Sequence, residues 1–197
     1  VNVAISNYIA VVTMNNPPVN AQNRQFHDDL TLAFDVLSDR NDVRSIVLTG
    51  AGKCFSAGAD IKGRASQESD LGDHWVHSRR VRECFYAIME CRKPVIAAIN
   101  GAALGAGLAV AASADILIAS ESASVGLPEI NVGLLGGGRH AMRLFGHSKT
   151  RRLMLTGQRL SGAELYRLGI VEECVPDDDL MRAALEIAEE LASKSPV

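Results

Sequence analysis

Short runs of branched apolar residues alternate along this chain with longer stretches in which apolar positions recur every three or four residues. Val1 to Ile5 and Tyr8 to Met14 (YIAVVTM) read as strands of a hairpin, with Ser6-Asn7 as the turn. After a loop at Asn15-Asn16-Pro17-Pro18, residues Phe26, Leu30, Ala33, Phe34 and Leu37 share a helical face. That spacing predicts an amphipathic helix over 22–38, laid on one face of a sheet. A strand follows at 44–49. Residues 72–91 read as a second helix, apolar at Trp75, Val81, Phe85, Ile88 and Met89. Arg79, Arg80 and Arg82 fall mostly opposite and read as a solvated face rather than a phosphate patch. Pro94 ends that segment and a strand begins at 95–99. Apolar runs Ile116-Leu117-Ile118 and Ser124-Val125-Gly126-Leu127 come next, and helices at about 140–156, 161–168 and 177–193 close the pattern.

Strands alternating with helices predict an α/β architecture whose parallel strands feed loops at one edge. The stretch 95–112, VIAAINGAALGAGLAVAA, has the length of a membrane span. Its alanines and glycines make it weakly hydrophobic, and Asn100-Gly101 is a turn signal, so a buried strand, a turn and a buried helix are expected. With 197 residues and no repeat, low-complexity tract or linker, the chain reads as one domain. The chain opens directly on a strand, which leaves room for a start further upstream.

Hydrophobic residues at 47% and charged residues at 22% are those of a folded globular protein. A net charge of −3 gives no basic face for nucleic acid, so a small ligand is expected. The four cysteines, Cys54, Cys84, Cys91 and Cys174, form no C-x-x-C pair and follow no secretory leader; they read as reduced core thiols of a cytosolic protein. No histidine has metal-ligand spacing; His74 and His77, three apart, read as a solvated pair.

Two strand ends run into loops of very small residues, GAGKCFSAGAD (50–60) and NGAALGAGLA (100–109). Ligands of parallel α/β sheets gather beyond the carboxyl ends of the strands, so both loops are expected to face one crevice. Glycine and alanine leave peptide N–H groups uncovered, and a helix opening at Gly105 to Leu108 would add N–H groups at its positive end. Two such donors aimed at one oxygen make an oxyanion hole; tight turns alone would also call for these glycines. Other motif readings fail. Gly105-Ala106-Gly107 lacks the third glycine of a dinucleotide fingerprint, where Val110 stands. Gly146 to Thr150 lacks the ending of a phosphate-binding loop, and Cys54 to Gly58 lacks the first glycine of a nucleophile elbow.

FSAGADIKG (55–63), KPVIAAINGAALGAGLAVAASADILIAS (93–120), VGLPEINVGLLGGG (125–138) and RLMLTGQRLSGAELYRLGIVEECVP (152–176) stand in that order. Together they closely resemble the enoyl-CoA hydratase/isomerase (crotonase) family over nearly the whole chain. The resemblance implies a fold in the α/β class, a crotonase-like spiral of ββα units with a C-terminal helical part. It also implies a homotrimer or a pair of trimers. Residues 1–197 are then one crotonase-like domain lacking the family's final C-terminal helices, which help close the CoA site and subunit contacts. A chain cut there is expected to expose the helix face of Leu180, Ala184, Ile187 and Leu191, which also favours an oligomer.

By the same resemblance, the two oxyanion donors fall on the backbone N–H groups of Ala59 and Ala106, which hold an acyl-CoA thioester carbonyl. Ala57, Asp60, Ile61 and Lys62 align with positions near the CoA adenine; Asp60 and Lys62 read alternatively as surface charges. Many hydratases of the family carry two glutamates. Here Glu129 supplies one and Ala109 stands in place of the other. Hydration commonly uses two carboxyl groups, whereas a 1,3-proton shift needs one base, so the departure leans toward isomerisation or another enolate reaction. At an apolar crevice of Leu127, Ile130, Leu134 and Leu135, the Glu129 carboxyl is expected to have a raised pKa. Gly137 matches a position whose backbone holds the reacting water. Arg139 and His140 replace small residues and either add a polar group or face solvent. Asp115 reads as structural, binding turn N–H groups at the end of a buried helix.

The implied activity is hydration or double-bond isomerisation of enoyl-CoA, with no permanently bound cofactor, no metal, no nucleic acid and no membrane partner, in the cytoplasm. The alternatives are an acyl-CoA decarboxylase or thioesterase of the same family, or a CoA-ligand-binding homologue without catalysis.

Overall fold

Positive φ angles at Asn7 (50°) and Tyr8 (65°) turn the chain back on itself between β1 (Asn2–Ser6) and β2 (Ile9–Met14). The two strands pair antiparallel as expected, but the turn is Asn7-Tyr8 rather than Ser6-Asn7. Left-handed backbone at both turn positions matches the twist of the strands. These features come from a computed structural model, which describes residues 1–61 and 71–195. Helix α1 (Arg24–Asp39) starts two residues later than the periodicity predicts. Asn23 stops it there: its side chain accepts the Phe26 N–H at 2.8 Å and caps the first turn. Phe26, Leu30, Phe34 and Leu37 are buried as predicted, and His27 is buried with them.

Two sheets organise the rest. One has the order β1-β2-β3-β5-β7-β10, using β3 (Ser45–Gly50), β5 (Val95–Ile99), β7 (Ile116–Ser120) and β10 (Glu173–Val175); it is parallel beyond the first pair. The other joins β4 (Cys54–Ser56), β6 (Ala102–Leu104), β8 (Ser124–Gly126) and β9 (Arg159–Ser161). Each of β3, β5 and β7 is therefore followed by a short partner in the second sheet, and then by a helix or helical turn. This is the repeated ββα unit that the family resemblance implies. The plain periodicity did not reveal it, because three-residue strands carry too few positions to alternate.

Helix α2 (Leu71–Met89) packs on α1, and α3 (Ala106–Ala111) follows β6. A 3-10 turn, Pro128–Val132, follows β8. The helix predicted at about 140–156 is two, α4 (Gly138–Ala141) and α5 (His147–Thr156), because Gly146 is extended and restarts the chain direction. α6 (Gly162–Arg167) and α7 (Leu180–Ser193) complete the chain, the second preceded by a 3-10 turn at Asp177–Asp179.

The central strands of the six-stranded sheet are buried on both faces. Ile46, Leu48, Val95, Ala97 and Ile99 point to the main core with Phe34, Phe55 and Leu108. The alternate positions Val47, Ile96, Ala98 and Ile118 meet Leu180, Ala183, Ala184 and Ala188 of α7. The expectation that α7 would expose its apolar face is therefore wrong for this chain. Leu180 and Ala184 are 1% and 0% exposed, and Ile187 and Leu191 pack against the same cluster. A buried strand face needs a cover, and α7 supplies it; burying Leu180 alone is worth about 2 kcal/mol.

Among the described residues no helix is long and apolar enough to cross a membrane; 95–112 is β5, β6 and α3. No group of three His, Cys, Asp or Glu is arranged for a metal among them either. All four cysteines are free thiols, Cys54 and Cys84 buried, and burial pushes the Cys84 thiol up to about 12. Asp115 accepts the Val95 N–H at 2.8 Å, so it holds the start of β5 rather than a turn.

His27 is 1% exposed. Burial, reinforced by the neighbouring His77, holds its imidazole at about 4 instead of 6.5. The folded chain thus binds this proton less tightly than the unfolded chain, so nothing is lost above about pH 6.5 and stability drains away as the pH falls toward 4. Denaturation at pH 5 should show about 2 kcal/mol less stability than at pH 7 from this group. His27→Gln should remove that part of the slope; a slope unchanged in the variant would assign it to other groups.

Candidate active site

The two small-residue loops are clamped by side-chain amides. Asn100, at the end of β5, accepts the Gly50 N–H at 3.1 Å and donates to the carbonyls of Gly50 (2.8 Å) and Gly52 (2.9 Å). Asn20, 1% exposed and at φ 52°, donates to the carbonyls of Ala51 (3.0 Å) and Cys54 (2.7 Å). The loops then meet backbone to backbone. A Cβ on Gly107 would stand 2.1 Å from the Ser56 carbonyl oxygen, and one on Gly58 would stand 2.5 Å from that of Leu104 and 3.1 Å from the Ala106 nitrogen. No side chain fits between them. That is why the sequence is so poor in side chains here.

Peptide geometry sets where the free N–H groups point. The Gly58 carbonyl accepts the Gln22 N–H at 2.8 Å, and the C=O and N–H of a trans peptide point in opposite directions. The Ala59 N–H is therefore turned away from Gln22. The Gly105 carbonyl accepts from the Ala109 N–H at 3.1 Å along α3, so the Ala106 N–H leaves through the amino end of that helix. Neither N–H has a backbone acceptor among the described residues.

Glu129 sits in the 3-10 turn after β8, and its carboxyl group folds over Gly105. Its Oε1 lies 2.6 Å from where a Cβ on Gly105 would stand, 3.8 Å from that of Gly136 and 4.0 Å from that of Gly137. At φ 56°, Gly105 is also in backbone that strains any other residue. Glu129 Oε2 is shielded from solvent and has no hydrogen-bond partner among the described residues. Burial pushes the carboxyl above its ordinary range, opposed by its own backbone N–H. The apolar wall is narrower than expected. Leu127 is 1% exposed, but Leu134 and Leu135 are 52% and 59% exposed.

The structure thus gathers Glu129, Ala106, Gly137 and the Ala59 loop at one place. Ala57, Asp60 and Ile61 occupy that loop, anchored by the Ala57 N–H on the Val19 carbonyl and the Asp60 N–H on the Gln22 carbonyl. Lys62 lies outside the described residues. Ala109 is 2% exposed in the core, so α3 presents no carboxyl there. Arg139 is exposed, whereas His140 is half-buried with its ring edge-on to Phe85 at 4.6 Å, its pKa lowered by burial and then by Arg143 and Arg139.

Asn20, Gln22 and Ser56, which are 1%, 2% and 0% exposed, belong to the site without a sequence motif to announce them. Their only signal is burial, which a polar residue beside a proline-rich loop does not advertise. Asn100 was legible only as half of a turn.

A family model described as enoyl-CoA hydratase/isomerase matches residues 4–197. A probable enoyl-CoA hydratase of Bacillus subtilis is 37% identical over 200 residues, 100% of this chain and 77% of the relative. A hexahydroindene-carboxyl-CoA hydrolase of Mycobacterium tuberculosis is 38% identical over 188 residues, 94% of this chain and 75% of the relative. The crystal structure of an enoyl-CoA hydratase from Mycobacterium smegmatis superposes with a TM-score of 0.94 at 27% identity, covering 99% of this chain and 77% of that one. With loops, glycines and carboxyl group in this arrangement, the chain belongs to the enoyl-CoA hydratase/isomerase family.

Proposed function

We propose that the chain moves a proton at the α-carbon of an enoyl-CoA thioester, using Glu129 as its one proton carrier. The observation that carries this reading is the Glu129 carboxyl group lying against Gly105, the residue that precedes Ala106 at the start of α3. The thioester oxygen would accept from the Ala59 and Ala106 N–H groups. Each donor is worth roughly 3 to 4 kcal/mol once the carbonyl becomes an enolate oxygen. In hydration, Glu129 takes a proton from water as the oxygen adds to Cβ, and the electron pair of the double bond moves to the thioester oxygen. The same carboxyl group then returns the proton to Cα. In isomerisation it takes the Cα proton and delivers it to Cγ. Both routes balance with a single carboxyl group, and the buried alanine at position 109 supports that count and favours isomerisation. The Gly137 backbone is assigned to hold the water. Ala57, Asp60, Ile61 and Lys62 are assigned to the adenine end of CoA. Neither route calls for a metal or redox cofactor. A homotrimer is proposed on family resemblance alone, since α7 is already packed, and light scattering of the protein checks it.

Incubation with short 2-enoyl-CoA and 3-enoyl-CoA, followed by absorbance of the conjugated thioester, separates the two routes. Loss of 2-enoyl-CoA absorbance is hydration; its appearance from 3-enoyl-CoA is isomerisation. Binding of both without turnover of either would overturn the proposal.

The pH dependence follows from the raised carboxyl pKa. The free enzyme needs Glu129 ionised to accept a proton, so kcat/KM should rise with pH through a value above the ordinary carboxyl range near 4.3. A profile of kcat/KM with its acid limb at or below that range contradicts burial as the tuning device.

A further inference from the structure

The geometry points to Gln22 as a positioning residue that aims the Ala59 N–H through the hydroxyl of Ser56. This inference rests on the proposed role of that N–H. Gln22 grips the loop twice through its backbone, its N–H donating to the Gly58 carbonyl at 2.8 Å and its carbonyl accepting from the Asp60 N–H at 3.1 Å. Those bonds would survive any side chain. The side chain does something else. Its Nε2 donates to Ser56 Oγ at 3.1 Å, and Ser56 Oγ accepts the Gly58 N–H at 3.3 Å while donating to the Asn20 carbonyl at 2.8 Å.

The hydroxyl is therefore saturated, with one donor used and two lone pairs occupied. Both peptides flanking Gly58 are fixed: the one before it by Ser56, the one after it by the Gln22 backbone. The Ala59 N–H belongs to the second peptide, and Gly58, at φ 89°, is the pivot between them. A shift of the first peptide is passed through this pivot as a rotation of the second about the Gln22 N–H bond that holds its carbonyl, which re-aims the Ala59 N–H. Behind Gln22, His27 Nε2 lies 3.4 Å from Gln22 Oε1. With its imidazole neutral, as burial dictates, the tautomer protonated at Nε2 would donate to Gln22 Oε1 and so hold the amide with its NH2 toward Ser56. An apolar residue of similar length would fill this site without needing partners; the amide here reaches the reaction site through the Ser56 loop.

The test uses Gln22→Met, Ser56→Ala and the double variant. Three quantities are measured on each: kcat and KM for enoyl-CoA, the melting temperature, and the carbonyl stretch of bound butyryl-CoA, which has no double bond to react. Gln22→Met should lower kcat roughly tenfold with KM within about twofold, because a donor shifted by a fraction of an ångström loses most in the transition state. The bound carbonyl stretch should move back toward its solution value. The double variant should be no slower than Ser56→Ala, since Gln22 acts through that hydroxyl. A folded Gln22→Met with unchanged kcat and stretch, or losses that simply multiply in the double variant, overturns the assignment. Should Gln22→Met fail to fold, Ser56→Ala carries the same test, and unchanged kcat and stretch there overturn it equally. A parent protein whose bound carbonyl stretch equals the solution value would instead remove the donor reading on which the inference rests.

Discussion

Glu129→Gln should lower enoyl-CoA turnover by roughly 10²- to 10⁴-fold while leaving acyl-CoA affinity within a few-fold, the usual loss on removing a positioned general acid or base. The amide keeps the shape and volume of the carboxyl group, so the crevice over Gly105 stays filled. What it loses is the capacity to take up and release a proton. Binding should survive, because the proposed contacts to the thioester are backbone N–H groups of Ala59 and Ala106, which the substitution does not touch. The variant should also tolerate its burial, since a neutral amide escapes the penalty that raises the carboxyl pKa. Steady-state kinetics with the best acyl-CoA, paired with a binding titration, checks both halves. If turnover stayed within a few-fold of the parent, the proton would be moving through another group. His140, half-buried against Phe85, and Arg139 beside it would then become the leading candidates.

Gly107→Ala should destabilise the fold by about 3 kcal/mol or more and reduce turnover beyond the loss of folded protein. In an ordinary helix this exchange stabilises by about 1 kcal/mol. Here the new Cβ would land 2.1 Å from the Ser56 carbonyl oxygen and 2.9 Å from its carbon. Those atoms are backbone of β4, and no rotamer change moves them aside. The strand must shift, and it carries Ser56 and therefore the Gly58-Ala59 loop with it. Gly146→Ala provides the contrast, expected within about 1 kcal/mol because a Cβ there meets nothing within 4 Å. Chemical denaturation of both variants checks the difference; equal midpoints would mean that the contact between α3 and β4 yields easily.

Much of this arrangement can be read from the chain before its structure is known, and the readable parts share a cause. Helix α1 is long enough for its apolar spacing to declare the period, as Phe26, Leu30 and Phe34 do, while strands β3 and β5 stand out as continuous apolar runs bounded by turn signals. Glu129, Ala59 and Ala106 stand out through motif resemblance, not through spacing. The second sheet escaped notice because its strands are too short to show alternation. The packing of Leu180 and Ala184 was misjudged because an apolar helix stripe shows that it will be covered but not by what; here the cover is the far face of the six-stranded sheet. Gln22 and Asn20 were unreadable for the opposite reason. Their amides look like loop chemistry in sequence and act as buried clamps in the fold, a role set by residues more than thirty positions away.

In the proposed complex one thioester oxygen lies between two backbone N–H groups, with the α-carbon facing Glu129. A crystal structure of Glu129→Gln with a bound 2-enoyl-CoA tests it most directly. The thioester oxygen is expected about 2.7 to 3.1 Å from both the Ala59 and Ala106 nitrogens, with the α-carbon turned toward the residue at position 129. An enoyl-CoA bound with that oxygen touching neither nitrogen, or with its α-carbon turned away from position 129, would contradict it.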